Sequence, residues 1–145
     1  MKVTYTLDIN APIEKSFECV NDNSKLKLWM DGLEKIEVLH ETDPHNPVGT
    51  KFRQHIKEGG RVRQYDGEIT RYKYPELLSV KIRSKAFNVD VNYQFQNYGG
   101  GTRLNYEAEL TFNNLFARIM SVLFRWLTKG ILKKQMTALK KLAES

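Results

Sequence analysis

Between Leu33 and Phe112 the chain changes polarity at nearly every second residue, and only turn formers interrupt the pattern. A period of two marks a strand with one buried and one wetted face. Phe52, Gln54 and Ile56 alternate with Lys51, Arg53, His55 and Lys57; Leu78, Val80 and Ile82 alternate with Ser79, Lys81 and Arg83. Phe87, Val89, Val91, Tyr93 and Phe95 oppose Asn88, Asp90, Asn92, Gln94 and Gln96, and Leu104, Tyr106, Ala108, Leu110 and Phe112 oppose Arg103, Asn105, Glu107, Glu109 and Thr111. Glu58-Gly59-Gly60-Arg61, Tyr74-Pro75-Glu76 and Gly99-Gly100-Gly101 are too short for the crossovers that parallel strands need. The pattern therefore predicts an antiparallel sheet that is wet on one side.

The flanks supply its cover. Val3, Tyr5, Leu7 and Ile9 alternate as a first strand, and Asn10-Ala11-Pro12 ends it. Ile13, Phe17 and Val20 recur at i, i+4 and i+7, which predicts a short helix over residues 12 to 21 with Pro12 in its first turn. Lys25 to Met30 forms a second, shorter helix that turns Trp29 inward and ends at Asp31-Gly32. Ile36 and Val38 mark the next strand, before the loop Asp43 to Pro47. After Phe112, Asn113-Asn114 can cap a helix reaching about Leu142. At 100° per residue, Phe116, Met120, Leu123, Phe124, Leu127, Ile131, Ala138 and Leu142 share one face, opposite Arg118, Arg125, Lys129, Lys133 and Lys140. Met136 falls off that apolar face by the same angle count, and Gly130 permits a bend. A striped helix laid on a one-faced sheet makes a two-layer α+β domain.

Charge narrows the class of partner. Of the 23 Lys and Arg, seven follow Phe112 (Arg118, Arg125, Lys129, Lys133, Lys134, Lys140, Lys141), where Glu144 is the only acid among the 17. The excess of +6 thus sits wholly in the C-terminal segment, and the strands are balanced. A nucleic-acid reader would spread basic and aromatic residues over its sheet, so nucleic acid is not expected as a partner. The basic helix face predicts at most weak contact with an anionic membrane or an acidic protein. With 145 residues, no apolar run long enough to span a bilayer and a first strand beginning almost at Met1, the expectation is a single soluble cytoplasmic domain over residues 1–145. The lone Cys19 is expected as a buried apolar filler.

Catalytic signatures are sparse. His40, His45 and His55 lack His-x-x-x-His spacing, and neither a metal nor another cofactor is expected. No nucleophile elbow, phosphate loop or dinucleotide fingerprint occurs, and Gly99-Gly100-Gly101 reads as a hairpin. Asp66 and Glu68 share one face of a strand, where solvated carboxylates are routine.

The order of these elements resembles the START-like (SRPBCC) superfamily and its helix-grip fold, in the bacterial branch of polyketide cyclases, dehydrases and lipid transport proteins. The resemblance is carried by Ile9-Asn10-Ala11-Pro12-Ile13-Glu14-Lys15-Ser16-Phe17, Leu28-Trp29, Gly49, Gly67-Glu68-Ile69-Thr70-Arg71-Tyr72 with Pro75, and Gly100-Gly101-Thr102-Arg103-Leu104. It implies a curved seven-stranded antiparallel sheet around a long C-terminal helix, two short helices after the first strand, and an apolar cavity for a lipid, polyketide or similar hydrophobic molecule. It implies no universal catalytic residues.

Candidate ligand-binding residues are then Phe52, Gln54 and Ile56; Val89, Val91 and Tyr93; Tyr106 and Ala108; and, from the helix, Met120, Leu123, Phe124 and Leu127. Gln54, Tyr93 and Tyr106 are the polar groups that would orient a guest in an apolar pocket. Three functions remain open. The first is binding or transport of a hydrophobic small molecule. The second is a cyclase or dehydratase-type enzyme, with Tyr93, Tyr106 or His55 moving a proton. The third is a protein-interaction module with a collapsed cavity.

Overall fold

The computed structural model describes the backbone of residues 1–85, 87–112 and 116–145, and the side chains of the same residues except 116–129. The strands are β1 (Lys2–Ile9), β2 (Leu33–His40), β3 (Lys51–Glu58), β4 (Arg61–Lys73), β5 (Leu77–Arg83), β6 (Phe87–Tyr98) and β7 (Gly101–Phe112). The helices are α1 (Ile13–Asn21), α2 (Asn23–Trp29) and α3 (Phe116–Glu144). One antiparallel sheet has the order β1-β7-β6-β5-β4-β3-β2. Every neighbouring pair inside β2–β7 is consecutive in sequence, as short connections require, and β1 alone crosses over, to pair with β7. Gly59 and Gly60, and likewise Gly99 and Gly100, form two-residue loops in which all four φ angles are positive. That geometry matches the strand twist and is nearly free only for glycine.

Pro12 precedes the first turn of α1, and Ile13, Phe17 and Val20 point inward as their spacing predicts. The second helix starts two residues earlier than expected. Asp22 accepts from the Ser24 backbone N–H at 2.9 Å and from its hydroxyl at 2.7 Å, a cap that outweighs the turn-forming character of Asn21 to Ser24. The indole Nε1 of buried Trp29 donates to the Cys19 carbonyl at 2.7 Å, and this bond locks α2 onto α1. Phe17 meets Tyr72, Tyr74 and Phe95 edge-on at 5.3–5.8 Å between centroids and seats α1 on the sheet. Thr102 Oγ1 donates to the Ala11 carbonyl at 2.7 Å, tying the bend after β1 to the start of β7. Two such buried bonds contribute about 1 kcal/mol each.

The long helix departs from expectation in its second half. Leu132, Met136, Leu139 and Ala143 are its buried residues there, whereas Ile131, Ala138 and Leu142 flank them half-buried. Met136, only 1% exposed, is therefore a core residue. The angle count extrapolates one straight face over the whole helix, but this half packs against α1, α2 and β1, so its apolar stripe is rotated toward those partners. Glu144 Oε2 accepts from the Asn10 N–H at 2.8 Å, and Lys15 donates to the Ser145 carbonyl, closing the helix end over the start of α1. The expected Asn113-Asn114 cap lies outside the described residues.

Candidate functional site

Register decides which inward side chains meet. Val3, Tyr5, Leu7 and Ile9 of β1 face Ala108, Tyr106, Leu104 and Thr102 of β7; β6 sets Tyr93 opposite Tyr106 and Val91 opposite Ala108; β5 sets Leu78 opposite Tyr93 and Val80 opposite Val91. One transverse row therefore runs Tyr5, Tyr106, Tyr93, Leu78, Tyr72 across five strands. Tyr72 joins it because an irregularity between Ile69 and Arg71 resets the alternation of β4. Periodicity alone cannot place an extra residue in a strand, so Tyr72 was not legible as a member of the row.

The Tyr93 and Tyr106 rings meet edge to face, 5.4 Å apart and at 67°, and Trp29 contacts Tyr93 from α2 at 6.4 Å. Tyr93 is only 8% exposed, and Tyr106 is partly buried. Neither hydroxyl has a hydrogen-bond partner among the described residues. No side-chain nitrogen or oxygen among those residues is both shut off from water and unpaired. Burial pushes the Tyr93 hydroxyl well above the usual phenol value, with the neighbouring Tyr106 adding to the shift. Burial alone raises Tyr106 to about 12. Both stay protonated throughout the physiological range.

Gln54 belongs elsewhere. It lies between Ile36 and Tyr65, at the end of the sheet where Tyr65 packs on Phe87 at 5.6 Å. Phe87 and Tyr93 are six residue steps apart along β6, about 20 Å of strand. The three polar groups anticipated as one set thus divide into a tyrosine pair and a distant glutamine. At the glutamine end Tyr65 donates to Glu58, at 2.9 Å and 3.1 Å to its two oxygens, and Glu58 pairs with Arg63 at 3.4 Å. Phe52, Val91 and Ala108 are buried, and Ile56 and Val89 are half-buried, on the same inward face. The Met120, Leu123, Phe124 and Leu127 side chains lie outside the described residues.

The outer face carries ion pairs. Arg53 and Asp66 bond through two contacts of 2.7 and 3.1 Å, and Lys81 pairs with Glu68 at 3.0 Å, so Asp66 and Glu68 serve separate cations. His55 points away from Gln54's side and meets Glu37 at 2.5 Å, on the face opposite the tyrosines. It is therefore remote from any chemistry inside the sheet. Among the described residues no cluster of three or more His, Cys, Asp or Glu is placed to hold a metal, and no helix is long and apolar enough to cross a membrane.

This combination of a seven-stranded antiparallel sheet, paired short helices and a terminal helix has known relatives. The sequence profile of the family described as Polyketide cyclase / dehydrase and lipid transport matches residues 1–144. The chain belongs to this family. As a member of the polyketide cyclase/dehydrase and lipid transport family it has the helix-grip fold of START-like proteins, and its solved neighbours share that fold at low identity. TTHA0849 from Thermus thermophilus is 17% identical with a TM-score of 0.78, covering 99% of this chain and 97% of the other. Ara h 8.0201 is 15% identical with a TM-score of 0.71, covering 99% and 97%. The di-domain ARO/CYC protein BexL, from the BE-7585A biosynthetic pathway, is 13% identical with a TM-score of 0.78; the match covers 100% of this family member and 50% of BexL. No curated protein matches the sequence.

Proposed function

We propose that this protein binds or transports a hydrophobic small molecule between the inward face of its sheet and α3. The observation that carries the reading is Tyr93: a phenol nine-tenths buried, its hydroxyl without a partner among the described residues, on a wall otherwise built of Leu78, Val91, Leu104 and Ala108. A phenol hydroxyl set in a largely apolar wall is the kind of polar group that orients a guest through a hydrogen bond. The family's description, which includes lipid transport, supports the same reading. Phe52, Ile56, Val89, Val91, Tyr93, Tyr106 and Ala108 would line the site from the strands, with Gln54 at its far end and Met120, Leu123, Phe124 and Leu127 from the helix. The reading takes residues 1–145 as one cytoplasmic domain working without a cofactor.

The likeness to BexL favours a second reading, a cyclase or dehydratase-type enzyme. The raised tyrosine pKa values weigh against it. A phenol near 12 gives up its proton poorly at neutral pH, which suits a hydrogen-bond donor better than a general acid or base.

Uptake of the neutral dye N-phenyl-1-naphthylamine tests the proposal. The expected result is saturable binding with enhanced fluorescence, reduced severalfold by Ala108→Trp, whose indole would project between Val3 and Val91. Absence of dye uptake by the parent, together with gross unfolding of the tryptophan variant, would overturn it in favour of an interaction module with a filled core.

A further inference from the structure

We infer that Tyr93 and Tyr106 make the proposed pocket selective for a neutral, largely apolar ligand bearing a carbonyl or hydroxyl oxygen, against a carboxylate of the same shape. The inference rests on the carrier reading and narrows it: of the ligands that a lipid transport family could hold, it ranks a fatty-acid anion below a neutral ketone or alcohol of the same shape.

Geometry supplies the first argument. One edge-to-face ring pair presents two hydroxyls, unpartnered among the described residues, to the same inward surface, and Trp29 backs the more buried of them. Such hydroxyls complement an oxygen on an otherwise apolar guest, because the alternative is to leave donor and guest oxygen both desolvated and unpaired.

Charge supplies the second. Among the described residues the buried polar side chains are Ser16, Thr50, Ser79 and Thr102, and none is charged. Arg53, Lys81, Arg83 and Arg103 lie on the outer face and pair there with Asp66, Glu68, Asp90 and Asp8, and Arg61, which register puts on the inward side of β4, sits exposed at the β3–β4 hairpin, beyond Tyr65 and so still farther from the tyrosines than Gln54. Near the same hairpin, Arg63 is exposed and pairs with Glu58. A carboxylate carried to the tyrosines would find two hydrogen-bond donors and, among the described residues, no counter-charge. Burial of an ion without its partner is far costlier than burial of a ketone.

Protonation supplies the third. Because burial holds both phenols above their ordinary range, they remain neutral donors wherever the protein works, and they do not become a counter-ion for a cation either.

The test is displacement of N-phenyl-1-naphthylamine by three naphthalenes of similar shape: 2-acetylnaphthalene, 2-ethylnaphthalene and 2-naphthoate at pH 7.5. In the parent, 2-naphthoate should bind at least about tenfold more weakly than the ketone. Tyr93→Phe and Tyr106→Phe each keep the ring and remove only a hydroxyl that bonds to no described residue, so both should fold. Each should weaken 2-acetylnaphthalene about three- to tenfold while leaving 2-ethylnaphthalene within about twofold, as expected for one lost hydrogen bond. If the dye and hydrocarbon bind but neither variant changes the ketone-to-hydrocarbon ratio, or if 2-naphthoate binds as tightly as the ketone, this inference falls and the carrier reading stands. If neither dye nor any naphthalene binds, both fall together.

Discussion

Gly67 of β4 offers a direct measure of how much room lies above the sheet. A Cβ at this position would sit 2.5 Å from Phe52 Cζ, 2.7 Å from Phe52 Cε2 and 2.8 Å from Ile82 Cδ1. Carbon atoms rest about 3.5–4.0 Å apart, so in Gly67→Ala the Phe52 ring must retreat by about 1 Å. All the atoms in the way are side-chain ends, and the Gly67 φ is not positive, so the backbone itself accepts alanine. Replacing glycine within a strand contributes about 0.5–1 kcal/mol of stability. Moving the ring off its preferred rotamer costs about 0.5–1.5 kcal/mol when there is space to receive it. With a hollow interior the two nearly cancel, leaving a net change within about 1 kcal/mol, and the displaced ring occupies volume that a guest would use. Urea unfolding and N-phenyl-1-naphthylamine binding, measured on the same variant, should therefore show near-parental stability and severalfold weaker dye binding. Gly101→Ala is the control, since its Cβ would strike the Ile9 carbonyl, which is backbone; it should destabilise more than Gly67→Ala. A loss above about 2 kcal/mol for Gly67→Ala, the signature of overpacking, with dye binding untouched, would refute the reasoning.

Two further outcomes follow from side chains away from the tyrosines. Hydrogen bonds from Arg103 hold the Asp8 carboxyl below its ordinary range, so the stability this pair contributes is complete above the unfolded-state value and is lost as pH falls through the lower folded-state one. Asp8→Asn should accordingly flatten the fall in urea midpoint below about pH 4, and an unchanged acid profile would show that the pair is energetically silent. Cys19 is 1% exposed, its thiol donates to the Lys15 carbonyl at 3.6 Å, and burial raises its pKa, so it should react with Ellman's reagent far more slowly in the folded protein than in urea; rapid labelling without loss of structure would contradict its placement.

Strand existence was legible because a sheet with one wet face imposes a period of two on every residue. Val89, Val91, Tyr93, Leu104, Tyr106 and Ala108 all face the side their alternation predicts. Which strand residues stand opposite one another is a different quantity, set by loop geometry and by local irregularities. The separation of Gln54 from Tyr93 and the inclusion of Tyr72 in the tyrosine row depend on it. Helix faces were legible over short spans: Ile13, Phe17 and Val20 of α1 point inward as spaced. Over 29 residues the stripe of α3 follows its changing partners, which is why Met136 is buried against an angle count that ignores them. That the Tyr93 hydroxyl meets no partner among the described residues was beyond periodicity altogether, because it depends on the absence of a neighbour rather than on the identity of one.

The pairing of β1 with β7 also sets a timetable for synthesis. Lys2 pairs with Glu109, the Met1 amine donates to the Leu110 carbonyl at 2.7 Å, and the Leu110 N–H returns a bond of 2.7 Å to Met1. At translation speeds of about 5–20 residues per second, the first strand waits about 5–20 seconds for its partner to be made. Throughout that interval Val3, Tyr5, Leu7 and Ile9 have no sheet to cover them, and α1 and α2 lack the C-terminal half of α3 against which they pack. The meander from β2 to β6 can zip up hairpin by hairpin as it leaves the ribosome, so the nascent chain is a half-built grip with a sticky leading segment. A mutation that slows the last two elements would lengthen that exposure, and its cost would appear as aggregation during expression while the purified, completed fold kept its full thermal stability.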